Sequence, residues 1–269
     1  MKIIAFTGAG ISQESGLNTF RDKGGIWDQY DLNEVCNFFR LHKIKKMPEE
    51  REKIFAFYNL LKDKIKEAEP NKAHLEIAQW QKKYGTDNVK IITSNVDDLF
   101  EKAGCINVLH VHGTLNKMHC FQCGHEWESD LNHNYRCVKC ESRLTKPGVI
   151  FFGEKAPNYA IMNNWCNHKN FTENDYRVVI GSSLNVIDAH TILQKHRNSY
   201  SKDSYNILIN KDRTDQDHLF DKVLHGKATE EIFKVSAVIF SSRLNVKLGV
   251  AQVSSLNSYF QISFCHEFA

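Results

Sequence analysis

The sequence predicts an α/β fold: a parallel sheet with helices on both faces, and a small metal-binding module inserted into it. Three observations carry this. Short apolar, β-prone runs (residues 2–6, 88–93, 108–111, 176–180 and 206–210) alternate with stretches of helical hydrophobic period. Small and polar residues gather where those runs end, at Thr7-Gly8-Ala9-Gly10-Ile11-Ser12, Ser94-Asn95-Val96-Asp97 and Gly181-Ser182-Ser183. In parallel sheets ligands bind beyond the carboxyl ends of the strands, which is where these residues fall. Finally, Cys120-Phe121-Gln122-Cys123 and Cys137-Val138-Lys139-Cys140 stand 13 residues apart.

The first run, Lys2 to Phe6, enters the glycine turn directly. Glycines there let backbone approach a ligand, and free N–H groups at a following helix start would attract phosphate. Gln13 stands where a dinucleotide fingerprint has its third glycine, so this turn alone leaves a nucleotide site and an ordinary tight turn both open. Gly24-Gly25-Ile26-Trp27-Asp28 marks a long loop, a form that often covers a ligand. Residues 49–68 place Ile54, Phe55, Phe57, Tyr58, Leu60, Leu61 and Ile65 among charges, an amphipathic helix. Pro70-Asn71 ends it and starts another, with Leu75, Ile77, Ala78 and Trp80 inward and Gly85 at its end. A short helix over 99–103 is closed by Gly104. Residues 236–269 carry few charges and read as β-prone: an added edge strand, an interaction segment or an extension foreign to the fold.

Each cysteine knuckle can place two thiolates on one tetrahedral ion, so Cys120, Cys123, Cys137 and Cys140 together complete a zinc site. Four thiolates leave no position for water, which makes the ion structural. His119, His125 and His133 are then not needed as ligands. The alternative, a pair of redox dithiols, lacks a thioredoxin-like context. Cys36, Cys105, Cys166 and Cys265 read as buried free thiols.

The chain has 269 residues, 42% of them apolar, enough for one large domain with a small insert. A net charge of +3 makes no case for nucleic acid as a partner, and Lys43–Lys46 and Lys62–Lys66 read as solvated faces. No apolar run reaches the ~18 residues of a membrane span. The sequence opens on the first strand, so neither a charged-then-apolar leader nor a regulatory extension ahead of it is expected. With the cysteines in metal-ligand spacing, a reducing, cytoplasmic setting is expected.

Taken in order, Gly8-Ala9-Gly10-Ile11-Ser12, Ser94-Asn95-Val96-Asp97, His110-Val111-His112-Gly113, the double Cys-x-x-Cys, Pro147-Gly148-Val149-Ile150-Phe151-Phe152-Gly153-Glu154 and Gly181-Ser182-Ser183 resemble the sirtuin family of NAD-dependent protein deacylases. The resemblance spans roughly residues 1–235 and leaves 236–269 as a tail outside it. It implies a Rossmann-like parallel sheet with helices on both faces, plus an inserted small zinc-ribbon and helical module at about 117–146. It implies NAD as co-substrate, one structural Zn2+ and an acyl-lysine protein or peptide as partner. In the family reaction the acyl carbonyl oxygen attacks the nicotinamide ribose and releases nicotinamide. A histidine then draws a proton from a ribose hydroxyl, which attacks the imidate carbon. Water completes the transfer to free lysine and O-acyl-ADP-ribose.

Carried over by position, His112 is the general base, and its near-neutral range suits that task. His110 is read as facing the other side of its strand in a structural role. Asn95 and Asp97 would hold the ribose and the nicotinamide amide. Gly8, Ala9, Gly10 and Ile11 would approach the pyrophosphate with Arg21 near its charge, while Phe20 would shield the ribose carbon. Ser94, Gly181, Ser182 and Ser183 would contact ribose or phosphate, Asn210 the adenine ribose, and Lys227-Ala228 the adenine. Val149, Ile150, Phe151 and Phe152 would pair with an extended peptide by strand addition.

The chain departs from the family at several positions. Ser94 replaces the usual glutamine and loses its reach, which should weaken ribose positioning and turnover. Ser182 replaces a threonine, and Asp188 stands where proline is common. Members that remove succinyl or malonyl groups carry Tyr-x-x-Arg at the acyl pocket; Tyr58 is present here but Leu61 replaces the arginine. Lys62 points about 100° away on the helix. Without a guanidinium to pair a carboxylate, acetyl or another uncharged acyl group is expected. Two other readings stand beside this one: NAD hydrolysis or mono-ADP-ribosyl transfer at the same site, and a zinc-ribbon binding protein on a degenerate nucleotide fold.

Overall fold

The protein, described by a computed structural model over residues 1–17, 30–38, 48–128, 136–194 and 203–247, contains two sheets. The larger has six strands in the order β3-β2-β1-β7-β8-β9: β1 (Ile3–Thr7), β2 (Val89–Thr93), β3 (Val108–His110), β7 (Tyr176–Ile180), β8 (Tyr205–Asn210) and β9 (Lys222–His225). Every pairing in it is parallel. The chain starts at the centre, with β2 on one side of β1 and β7 on the other. Connections therefore leave β1 and β7 in opposite directions, and a crevice opens between their carboxyl ends. Thr7 is level with Thr93 and Ile180, so the turns after all three strands emerge at one height.

All five residues of β1 and of β7 are buried, as expected for parallel strands covered on both faces. On one face Ile4, Phe6, Ile92, Val179 and Leu208 pack with Met162 and Cys166, and with Ala189, Ile192 and Leu193 of the helix Ala189–Leu193. Asp188 caps that helix by accepting from Thr191 N at 2.7 Å, and bonds from the Thr191 side chain first and its backbone second hold the Asp188 carboxyl below the ordinary range. It starts the helix with an N-cap side chain.

The helix Pro48–Glu67 buries Ile54, Phe55, Phe57, Tyr58, Leu61 and Ile65, while Leu60 faces outward. The helix Lys72–Tyr84 is capped reciprocally: Asn71 accepts from Ala73 N, and His74 Nδ1 accepts from Asn71 N. Its buried residues are Ala73, His74, Ile77, Trp80, Gln81 and Tyr84; Leu75, expected inward, is 47% exposed, and the capping histidine takes the inner position of the first turn.

The second sheet is antiparallel, β5-β4-β6, made by β4 (Gly113–Cys120), β5 (Glu126–Glu128) and β6 (Thr145–Val149). It extends past the 117–146 module on both sides, starting at Gly113 and ending at Val149. The half-exposed β9 at the sheet edge escaped the sequence reading because its four residues lack an apolar run. Of the three readings of the tail, the edge strand is excluded over residues 236–247, which belong to the helix Ala228–Lys247. The β-prone Val238-Ile239-Phe240 continues a helical turn already begun at Ala228, so local context outweighs propensity. The chain divides into two compact units, Met1–Ile232 and Phe233–Ala269. Among the described residues no helix is long and apolar enough to cross a membrane.

Candidate active site

Three strand ends build the site. Gly8 N donates to Ile180 O at 3.0 Å and Gly10 N to Gly181 O at 2.8 Å, so the turns after β1 and β7 press backbone against backbone. A Cβ on Gly10 would meet Gly181 Cα at 2.8 Å. Gly181 has φ +62°, and a Cβ there would meet the Ile11 nitrogen and lie 2.6 Å from Gly10 C. Only glycine fits both positions. The expected helix start after the turn is instead two successive 3-10 turns, Ala9–Ile11 and Gln13–Ser15, with Gly16 in the left-handed region between them and Leu17.

This turn forms one wall of a cleft of about 180 Å3. The predicted Gly10, Gly181, Asn210, Lys227 and Ala228 all line it. So do Gln13, which stands in the place of the fingerprint's third glycine, and Glu14 and Gly226, which carry no sequence signal. Glu14 accepts from Thr229 Oγ1 at 2.8 Å and from Thr229 N at 3.2 Å, and Lys227 Nζ lies 3.8 Å away. It ties the start of the helix Ala228–Lys247 to the turn after β1. Ile11 contributes backbone only, since its side chain is buried. Asn71 fastens that backbone by donating to Ile11 O at 2.7 Å. Ser182 Oγ accepts from Leu184 N at 3.2 Å, and Ser183 is exposed. Phe20, Arg21 and the expected loop at 24–28 lie outside the described residues.

Beside the cleft, the loop after β2 forms a buried polar knot. Asn95 Nδ2 donates to Ser12 Oγ at 3.0 Å and to Gly8 O at 3.2 Å, and Ser12 Oγ donates to Asp97 Oδ2 at 2.9 Å. Ser12, in the sequence motif but given no role of its own, is the hub. Burial raises the Asp97 carboxyl, against the lowering effect of bonds from Leu99 N and Ser12. Ser94 turns away from this knot: its Oγ donates to Thr7 O at 3.2 Å.

His112 and His110 grip consecutive carbonyls of the same loop. His112 Nδ1 lies 3.1 Å from Ser94 O, and His110 Nδ1 lies 3.0 Å from Asn95 O. Residues two apart share a strand face, so the expected opposite orientation of His110 is incorrect; both rings reach the loop after β2. Their second nitrogens differ. His110 Nε2 meets Glu101 Oε1 at 3.0 Å, so both its nitrogens face acceptors; burial lowers its pKa, but Glu101 outweighs burial and raises it overall. His112 Nε2 meets the Tyr159 hydroxyl at 2.8 Å, and burial lowers its pKa. A carbonyl can only accept, so the neutral His112 ring carries its proton on Nδ1 and presents the Nε2 lone pair. Tyr159 had no sequence signal, because it lies between the motif ending at Glu154 and the one beginning at Gly181, in the first turn of the helix Asn158–Trp165. Asn158 Nδ2 donates to His110 O at 2.7 Å and pins that helix to the end of β3.

Tyr58 and Leu61 sit in one apolar cluster with Val35, Cys36, Leu115, Met118, Val149 and Phe151. Tyr58 stacks on Phe151 with centroids 5.4 Å apart, and its hydroxyl lies 3.2 Å from Cys36 Sγ. Burial raises both groups, Cys36 to about 11, so both are neutral. Lys62 Nζ donates to Leu115 O at 3.1 Å. Val96 packs against the same cluster, so the loop after β2 has a polar side toward Ser12 and an apolar side here.

The expected strand addition along Val149–Phe152 meets an obstacle. Ile150 N donates to His112 O at 2.8 Å, Phe151 N to Glu154 Oε2 at 3.0 Å and Phe152 N to Cys36 O at 2.8 Å. Those three donors are spent within the chain. Phe152, 55% exposed, is the part of this segment that faces outward.

The four predicted cysteines converge, their Sγ atoms all within 4.8 Å of one another. Cys120–Cys140 and Cys123–Cys137 are 3.7 and 3.6 Å apart. A tetrahedron with 2.3 Å Zn–S bonds has edges of about 3.8 Å, and a disulfide would need about 2.05 Å. Lys139 N donates to Cys137 Sγ at 3.4 Å, which suits a thiolate held on a metal. The cluster fits one tetrahedral zinc ion.

The model of the Sir2 family matches residues 8–188. The chain is 36% identical over 252 residues to an NAD-dependent protein deacylase of Helicobacter hepaticus, covering 87% of this chain and 95% of that protein. It is 35% identical over 240 residues to NAD-dependent protein deacylase 2 of Archaeoglobus fulgidus, covering 86% and 88%. Among solved structures it is similar to a Sir2 homologue in complex with NAD, at 32% identity and a TM-score of 0.72 over 90% of each chain. A mutant Sir2 homologue in complex with ADP-ribose has the same TM-score at 31% identity, over 93% and 95%.

Proposed function

This chain belongs to the Sir2 family, and on that premise we propose that it is an NAD-dependent protein lysine deacylase acting on acetyl or another uncharged acyl group. The observation that carries the reading is the convergence on one crevice of the glycine turns, the Ser12–Asn95–Asp97 knot and His112.

NAD, bound as co-substrate, supplies an electrophilic ribose carbon once nicotinamide leaves. The chain's own residues do the rest. Gly8, Gly10 and Gly181 admit the pyrophosphate to backbone, and Asn210, Lys227 and Ala228 border the adenosine end of the cleft. Asn95 and Asp97, fixed by Ser12, hold the nicotinamide ribose. His112 receives the ribose hydroxyl proton on Nε2, the nitrogen its Ser94 bond leaves as acceptor. Burial lowers its pKa, so the base stays neutral at near-neutral pH. The acyl chain enters the cluster around Tyr58 and Leu61. With no guanidinium there, and Lys62 turned to a backbone carbonyl, a carboxylate-tipped acyl group would be buried without a partner. The four-thiolate zinc holds the small sheet and takes no part in the chemistry. Thiols kept reduced for that ion support a cytoplasmic setting.

The test follows nicotinamide release from NAD with and without an acetyl-lysine peptide. Release that requires peptide, with O-acetyl-ADP-ribose formed and loss in His112→Ala at unchanged zinc content, is the expected result. Release without peptide would replace this reading with NAD hydrolysis or ADP-ribosyl transfer.

A further inference from the structure

We propose that Tyr159 is a cap on the base: its hydroxyl occupies the lone pair of His112 Nε2, and the substrate ribose must displace it before His112 can act. The inference rests on His112 being the base. Because Nδ1 is committed as donor to the Ser94 carbonyl, Nε2 of the neutral ring can only accept, and Tyr159 must be the donor. Burial raises the phenol's pKa, so it keeps its proton across the working range.

The geometry favours a removable cap over a fixed proton carrier. Among the described residues the Tyr159 hydroxyl has no partner but Nε2, so moving it breaks one hydrogen bond. A carrier would need a second partner on the ribose side, held in place beforehand. The two rings are not stacked: their centroids are 5.9 Å apart and their planes 40° from parallel, so uncapping costs little ring contact. The helix behind Tyr159 stays put, since Asn158 holds His110 O. Only the tyrosine side chain, half-buried against the core, has to turn. A capped base lowers apparent affinity by the fraction of molecules that are uncapped. A neutral hydrogen bond of ordinary net strength sets that fraction at about one in five.

The experiment compares wild type with Tyr159→Phe, which keeps the ring and removes the donor. NAD is varied at saturating acetyl-lysine peptide, and ADP-ribose binding is measured by calorimetry on the same preparations. The expected result is a KM for NAD and a Kd for ADP-ribose each lowered about fivefold, with kcat within twofold of wild type. A kcat reduced tenfold or more at unchanged KM would overturn the cap and make Tyr159 a proton carrier. Unchanged KM, Kd and kcat would also overturn it. If ADP-ribose binds the variant but not wild type, the cap is supported even where turnover is too slow to measure. If it binds neither, with zinc content and melting temperature intact, the proposed function falls and the cap with it. Binding without a change on substitution removes the cap alone.

Discussion

At Ser94 a single side chain is expected to bear on rate. Its hydroxyl donates to Thr7 O, so it joins two strand ends and lacks the reach of a glutamine amide. Ser94→Gln should raise kcat/KM for NAD about fivefold, the worth of one ordinary net hydrogen bond. Steady-state kinetics at fixed peptide check this, and an unchanged or lower value would show that the serine is not limiting. The two histidines make a related point. They stand two residues apart and grip neighbouring carbonyls, yet burial lowers the pKa of one and Glu101 raises that of the other against burial. Glu101 on the second nitrogen of His110, helped by the Asn95 carbonyl and the Asp97 charge, makes the difference, where His112 meets a neutral phenol from 47 residues away.

Among the elements, the helix Lys72–Tyr84 couples stability to the site. Its cap, Asn71, also holds Ile11 O and Ser15 Oγ, so the turn after β1 is anchored by a helix N-terminus. His74 completes the capping box with Nδ1, while its Nε2 is buried without a hydrogen-bond partner among the described residues. Burial lowers its pKa to about 4. Between roughly pH 6.5 and 4 the unfolded chain binds a proton here that the folded chain does not. Stability is therefore full above that window and falls as pH drops through it, by up to about 3 kcal/mol. His74→Gln can keep the capping bond without titrating. Urea unfolding at pH 7 and pH 4.5 should show a smaller acid loss for the variant than for wild type. Equal losses would move the acid sensitivity elsewhere.

For the whole molecule, the zinc module and the large sheet meet through the backbone. β6 runs directly into Ile150, whose N–H donates to His112 O, so the small sheet helps hold His112. Native mass spectrometry should find one zinc ion per chain. Cys137→Ser should lose it, lower the melting temperature by roughly 10 °C and abolish deacylation, because three thiolates cannot close the site. Retained activity without zinc would separate the module from catalysis.

Much of this was legible in the order of residues. Apolar runs ending in Gly, Ser or Asn specify parallel strands with ligand-facing turns, and Cys-x-x-Cys spacing specifies a metal site, because each signal is local. The four cysteines follow from their spacing, while Gly8, Gly10, Asn95, Asp97 and His112 are named through the resemblance that the ordered motifs carry. The tertiary structure decided what depends on distant groups: Ser12 as the hub of the polar knot, Tyr159 on the base, His110 on the same side as His112, and the internal use of the donors of Ile150–Phe152. It also turned the β-prone Ser236–Phe240 into helix. Hydrogen-bond partners across more than forty residues, such as His112 and Tyr159 or Ser12 and Asp97, leave no periodic trace in a sequence, so only the packed chain reveals them.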